Sequence, residues 1–161
     1  VIEAGTSEPG EIATLGAIDL DVLNIEYCRA MSFARSKRYD EARAGLKDLI
    51  GRLELAGAPT GQPTRDLVAI MALERRYEDA CTLACSHYAE DRGVTALNLL
   101  VRVHCAAAET LALHGCLRAG LTYAETAETA AREGGSGFFI AHDVAEKLRA
   151  TIGCLSGARS A

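Results

Sequence analysis

Apolar residues return along this chain at spacings of three and four, the period of a helix that buries one face. From Asp19, a candidate N-cap, Leu20, Leu23, Tyr27, Met31 and Ala34 make such a stripe and predict a helix to about Ser36. A second helix runs from Arg38 to about Ala56 on Tyr39, Ala42, Leu46, Leu49, Ile50 and Leu53, and Gly57-Ala58-Pro59 stops it. Two helices joined by so short a turn form an antiparallel hairpin. A third helix is expected to open at Pro63 or Thr64 and to turn Leu67, Ile70, Met71 and Leu73 inward, with a partner from Tyr77 to roughly Asp91. The next hairpin pairs about Val94–His114 with Leu117 to about Glu133, ended by Gly134-Gly135. A seventh helix, about Phe138 to Leu155, has Phe139, Val144, Leu148 and Ile152 inward and Asp143, Glu146, Lys147 and Arg149 outward. Residues 1–17, with Gly5, Pro9, Gly10 and Gly16, read as a loose leader ahead of a single helical domain over 18–161.

One short pattern recurs where the hairpins turn. Lys37-Arg38-Tyr39-Asp40-Glu41-Ala42 returns after 38 residues as Arg75-Arg76-Tyr77-Glu78-Asp79-Ala80. A looser copy, Gly115-Cys116-Leu117-Arg118-Ala119-Gly120, follows after 40 more. Its acids suit the positive end of the second helix, its large third residue wedges between helices, and its small sixth residue lets them approach. On these residues the chain resembles tetratricopeptide repeats, with Ala42, Ala80 and Gly120 as the small position and Tyr39, Tyr77 and Leu117 as the large one. In the first helices the crossing position falls on Ala30, Val68 and Ala108, followed by Phe33, Met71 and Leu111. The resemblance spans about residues 19–134, with the last helix as a cap. The chain lacks Trp and its spacings exceed the usual unit of about 34 residues, so it looks like the long-unit variants of bacterial regulators.

The resemblance implies an all-α, right-handed stack of about three helix hairpins plus a capping helix, an α-α superhelix; an irregular helical bundle is the alternative. It also implies a groove lined by the first helix of each hairpin. The family's groove positions carry over to Asn24, Tyr27, Met31 and Arg35, then Arg65 and Ala69, then Arg102, Cys105 and Glu109. Arg65 and Arg102 are suited to the acidic groups of a peptide, although arginines also lay their stems over apolar surface without binding anything.

Composition narrows the classes. At 161 residues the chain is the size of one domain, and 49% hydrophobic with 5% aromatic residues means Ala, Leu, Val and Ile, which favours packed helices. A net charge of −5 gives no basic footprint for nucleic acid. Residues 94–114 are apolar enough to span a membrane, but Arg102, His104 and Glu109 sit mid-span and predict a buried core helix. Six cysteines inside helical patterns predict reduced thiols and a cytoplasmic location, and Val1 in place of Met predicts trimming or excision from a longer protein.

The local chemistry is sparse. Cys81, Cys85 and His87 are metal-ligand types at packing positions and lack a fourth ligand, so structural thiols are the expectation. His104 is adjacent to Cys105 and points about 100° away, which argues against a thiol nucleophile there. Glu125 and Glu128 read as a solvated face, and Gly134-Gly135-Ser136-Gly137 as a hinge between helices with neither phosphate-loop pattern. The sequence therefore predicts a non-enzymatic scaffold without cofactor or metal, binding a protein or peptide but no nucleic acid or membrane, with self-association left open. A small secretion or assembly chaperone, and a helical ligand- or metal-binding bundle, are the other two classes.

Overall fold

The three turn motifs are the same piece of backbone. A computed structural model describes residues 20–157, so the predicted leader lies outside them. Within them run α1 (Leu20–Arg35), α2 (Tyr39–Leu55), α3 (Gly61–Leu73), α4 (Tyr77–Glu90), α5 (Val94–Leu113), α6 (Leu117–Gly134) and α7 (Phe138–Gly157). Lys37, Arg75 and Gly115 each take a left-handed conformation, with φ of 59°, 60° and 80°. Each donates its N–H three residues back, to Ala34, Ala72 and Ala112, and the following N–H reaches Phe33, Met71 and Leu111. This double closure satisfies the carbonyls left open at a helix end and reverses the chain within three residues. After the turn, Arg38 pairs with Glu41 and Arg76 with Asp79, so the acids of the motif are tied to its own arginines.

The reversal brings the small residues face to face. Ala30, Ala42, Val68, Ala80, Ala108 and Gly120 are all buried. At the α5–α6 crossing a Cβ on Gly120 would stand 2.8 Å from the Ala108 carbonyl oxygen, and in α1–α2 one on Gly45 would stand 3.2 Å from the Ala30 Cβ. Backbones this close leave no room for water between them, and Leu46, Leu97, Val68 and Val101 are the largest side chains fully buried in the core. Burying a side chain of that size stabilises by about 1.5–3 kcal/mol.

The hairpins α1–α2, α3–α4 and α5–α6 pack in sequence, and α7 closes on α6. First helices also touch one another, α3 on α5 and α5 on α7, while the Tyr27 hydroxyl ties α1 to α3 by donating to Asp66 at 2.7 Å. The described residues are thus an all-α stack of helix hairpins, with α1, α3, α5 and α7 along one side. Among the described residues one helix, α5, is long and apolar enough to cross a membrane, and here it is packed by α3, α4, α6 and α7.

Three expectations shift. Helix α3 opens at Gly61 rather than at Pro63 or Thr64, because the first four N–H groups of a helix are unbonded and proline is tolerated there. Leu73 is 68% exposed at the end of α3, past the reach of its neighbours. Phe139 is 86% exposed because Phe138 takes the inward place, one residue and about 100° away, above Ala141, Val144, Ala145 and Leu148. The glycine run is a packed turn. Gly135 and Gly137 have φ of 73° and 76°, and a Cβ on Gly134 would stand 2.4 Å from Leu97 Cδ2.

The close crossing predicts that Gly120→Ala costs about 1–3 kcal/mol, because the obstacle is backbone rather than a movable side chain. Urea unfolding monitored by circular dichroism checks this against Ala119→Ser on the exposed neighbour. Equal stabilities would contradict the crossing.

Candidate functional site

The residues expected to line a groove divide into two clusters. In the first, α1 and α3 meet through polar atoms. Asp66 accepts from Tyr27 at 2.7 Å and from Gln62 Nε2 at 2.9 Å, and the Gln62 side-chain Oε1 accepts from Arg65 at 2.5 Å. The acceptor Asp66, and then burial, raise Tyr27 above the ordinary phenol value, so its proton stays in the bond. Tyr27 is therefore a tie between helices, and Arg65 is anchored beside it. Met31 packs half-buried on the core, whereas Asn24, Arg35 and Ala69 are exposed.

The second cluster is a groove of about 560 Å³ between α5 and α7. Arg102, Cys105 and Glu109 line it as expected, with Asn98, Val101 and Ala106 from the same helix. The far wall is Gly137, Ile140 and Val144. Ser136 donates to Asn98 at 3.1 Å and fixes the start of α7 beside α5. Arg102 and Glu109 are both exposed, and neither forms an ion pair among the described residues. Cys105 is buried in the floor. No hydrogen bond or ion pair among the described residues joins this groove to the Tyr27 cluster.

Asp66, Gln62 and the α7 wall escaped sequence reasoning. Tyr27 and Asp66 lie 39 residues apart on different hairpins, and no periodicity along the chain pairs them. Ile140 was hidden by assigning Phe139 to the inward face.

On the other side, the thiols have a different partner from the one their spacing suggested. His87 lies about 240° around α4 from Cys81 and packs against Gly61, with its Nε2 buried and unpartnered. The imidazole beside the thiols is His104, whose Nε2 is 3.7 Å from Cys85 Sγ. Its Nδ1 donates to the Leu100 carbonyl at 2.9 Å, which leaves Nε2 to accept the thiol proton. Burial raises Cys85 and lowers His104, so both are neutral near pH 7 and no thiolate is poised there. Burial also pushes Cys81 up to about 12 and Cys105 up to about 11. Among the described residues no group of three or more His, Cys, Asp and Glu is placed to hold a metal ion.

Glu128 is not on a solvated face. It is 6% exposed and accepts from His142 Nδ1 at 2.8 Å, Arg149 at 3.0 Å and Arg132 at 3.3 Å. Arg149, expected outward, is half-buried because it also binds Glu125 at 3.1 Å and Glu146 at 2.7 Å. The network clamps α7 to α6, and the hydrogen bond from His142, followed by Arg149, lowers the Glu128 pKa.

Comparison with family models, curated proteins and solved structures finds no match for the chain. The functional reading therefore rests on the residues themselves.

Two outcomes follow. A carboxyl with a depressed folded pKa contributes stability that is present above the ordinary carboxylate range and lost as pH falls through the folded value. Glu128→Gln should thus cost about 1–3 kcal/mol near neutral pH, and the gap to wild type should close in acid, as read by urea unfolding at both. A gap that did not change with pH would remove Glu128 as the titrating clamp. For the thiols, iodoacetamide at about pH 8 should label exposed Cys28, Cys116 and Cys154 and spare Cys81 and Cys105 in the native chain, as mapped by mass spectrometry.

Proposed function

We propose that this chain is a non-enzymatic, tetratricopeptide-like scaffold that binds a protein or peptide along its row of first helices. The observation that carries the reading is the α5–α7 groove. It has an apolar lining of binding-site size, with Arg102 and Glu109 exposed in it and unpaired. Several exposed charges elsewhere are paired within the fold, as in Arg38–Glu41, Arg52–Glu26, Arg76–Asp79 and Lys147–Asp143, whereas Arg102 and Glu109 are unpaired and flank an apolar groove. Charges left free beside apolar surface provide orientation for a partner whose affinity comes from the surface itself.

The repeat reading is supported by the equivalent turns at Lys37, Arg75 and Gly115 and by the buried small residues that follow them. A stack of such units presents its first helices as one continuous side, which suits a segment running across several repeats. A thiol-based enzyme is less well supported, since Cys85 is held protonated beside a neutral imidazole.

The test is charge reversal on that side. A partner captured by the immobilised chain should bind an Arg65→Glu, Arg102→Glu double variant at least about tenfold more weakly. A Lys47→Glu, Glu54→Lys swap on α2 should leave affinity within about twofold, since it lies away from the first helices. Full affinity in the arginine double variant, measured by calorimetry, overturns the proposed site.

A further inference from the structure

We propose that the occupant of the α5–α7 groove is an amphipathic helix carrying opposite charges two turns apart, with apolar residues between them. The inference rests on the binding function proposed above and adds the chemistry of the ligand.

The charges set the spacing. Arg102 and Glu109 are seven residues apart on α5, which places them on one face and about 10 Å apart along the axis. A helix laid along α5 has the same rise, so an acid and a base seven residues apart meet Arg102 and Glu109 together. Neither charge is otherwise consumed. Lys147 on α7 senses Glu109 at longer range, but its ammonium is held by Asp143 at 2.6 Å.

The floor sets the form. Between the two charges the groove presents Cys105 and Ala106, both small, walled by Ile140 and Val144. Ile140 is 58% exposed, an apolar surface that a ligand side chain from the intervening turn would cover. Both walls are helices, whose mid-segment N–H and C=O groups are bonded internally, so the groove offers no ladder for a strand. An extended chain would leave its own backbone groups unbonded over apolar surface, whereas a helix brings its hydrogen bonds with it.

The test is a displayed library of helical peptides, roughly 18 residues long, with a fixed Leu/Ala face and two positions seven apart varied among Asp, Glu, Lys, Arg and Ala. Presented to the full chain, it should enrich opposite charges in one order, and like-charge versions should bind at least about tenfold more weakly. The Arg102→Glu, Glu109→Arg double variant, its fold checked by circular dichroism, should enrich the reverse order. The same order on both chains, or equal enrichment of neutral pairs, overturns the inference.

Two further outcomes separate the causes of failure. Peptides that ignore this swap but weaken with Arg65→Glu place binding elsewhere on the first helices, which overturns this inference and spares the general function. No peptide bound by any form counts against both. Sedimentation of the chain alone covers the remaining occupant. A self-associated chain that the swap converts to monomer would show that a second copy fills the groove, and that result overturns the free-helix ligand.

Discussion

The architecture depends on backbone meeting backbone where the two helices of a hairpin cross. At Gly120 not even a methyl group fits against the Ala108 carbonyl, and Ala42 and Ala80 are fully buried at the same place in their units. Such proximity keeps each second helix tight behind its first. The first helices are then near enough to touch one another, and α5 and α7 can share a groove. Larger residues at these positions would spread the hairpins, and the spacing of the exposed side chains would go with it.

Much of this was legible in the sequence because the governing signals are local. Helical periodicity gave seven helices, and the six-residue motif located the turns to within a residue or two. The same motif marked small residues at its sixth position, and Ala42, Ala80 and Gly120 are buried. What misled was phase at helix starts. Choosing Phe139 over Phe138 rotates the first turn of α7 by about 100° and hides the wall that Ile140 supplies. Proline in the first turn of α3 has the converse effect, making a helix look shorter than it is.

The polar interior was far less legible, since it joins residues that no periodicity links. Glu128 reads as a surface acid until α7 brings His142 and Arg149 over it. Cys85 acquires its imidazole from the next helix, and Tyr27 acquires Asp66 from the next hairpin. Each is a contact between helices whose rotation about their axes must be known to within a fraction of a turn. Of the proposed groove, the α5 residues came from the sequence, whereas the opposing wall and the absence of competing ion pairs came from the structure.

Helix α5 has 20 residues where its counterpart α3 has 13, about two extra turns. Those turns carry Leu97 and Asn98, against which Gly134 and Ser136 of the glycine-rich turn are seated. In a regular array each unit meets only its neighbours, and such arrays can unravel from their ends. Here one helix is wedged among four others, so loss of α7 exposes the centre of the stack rather than its edge. The added length thus ties the terminal helix to the integrity of the middle, and favours a chain that melts as a single cooperative body.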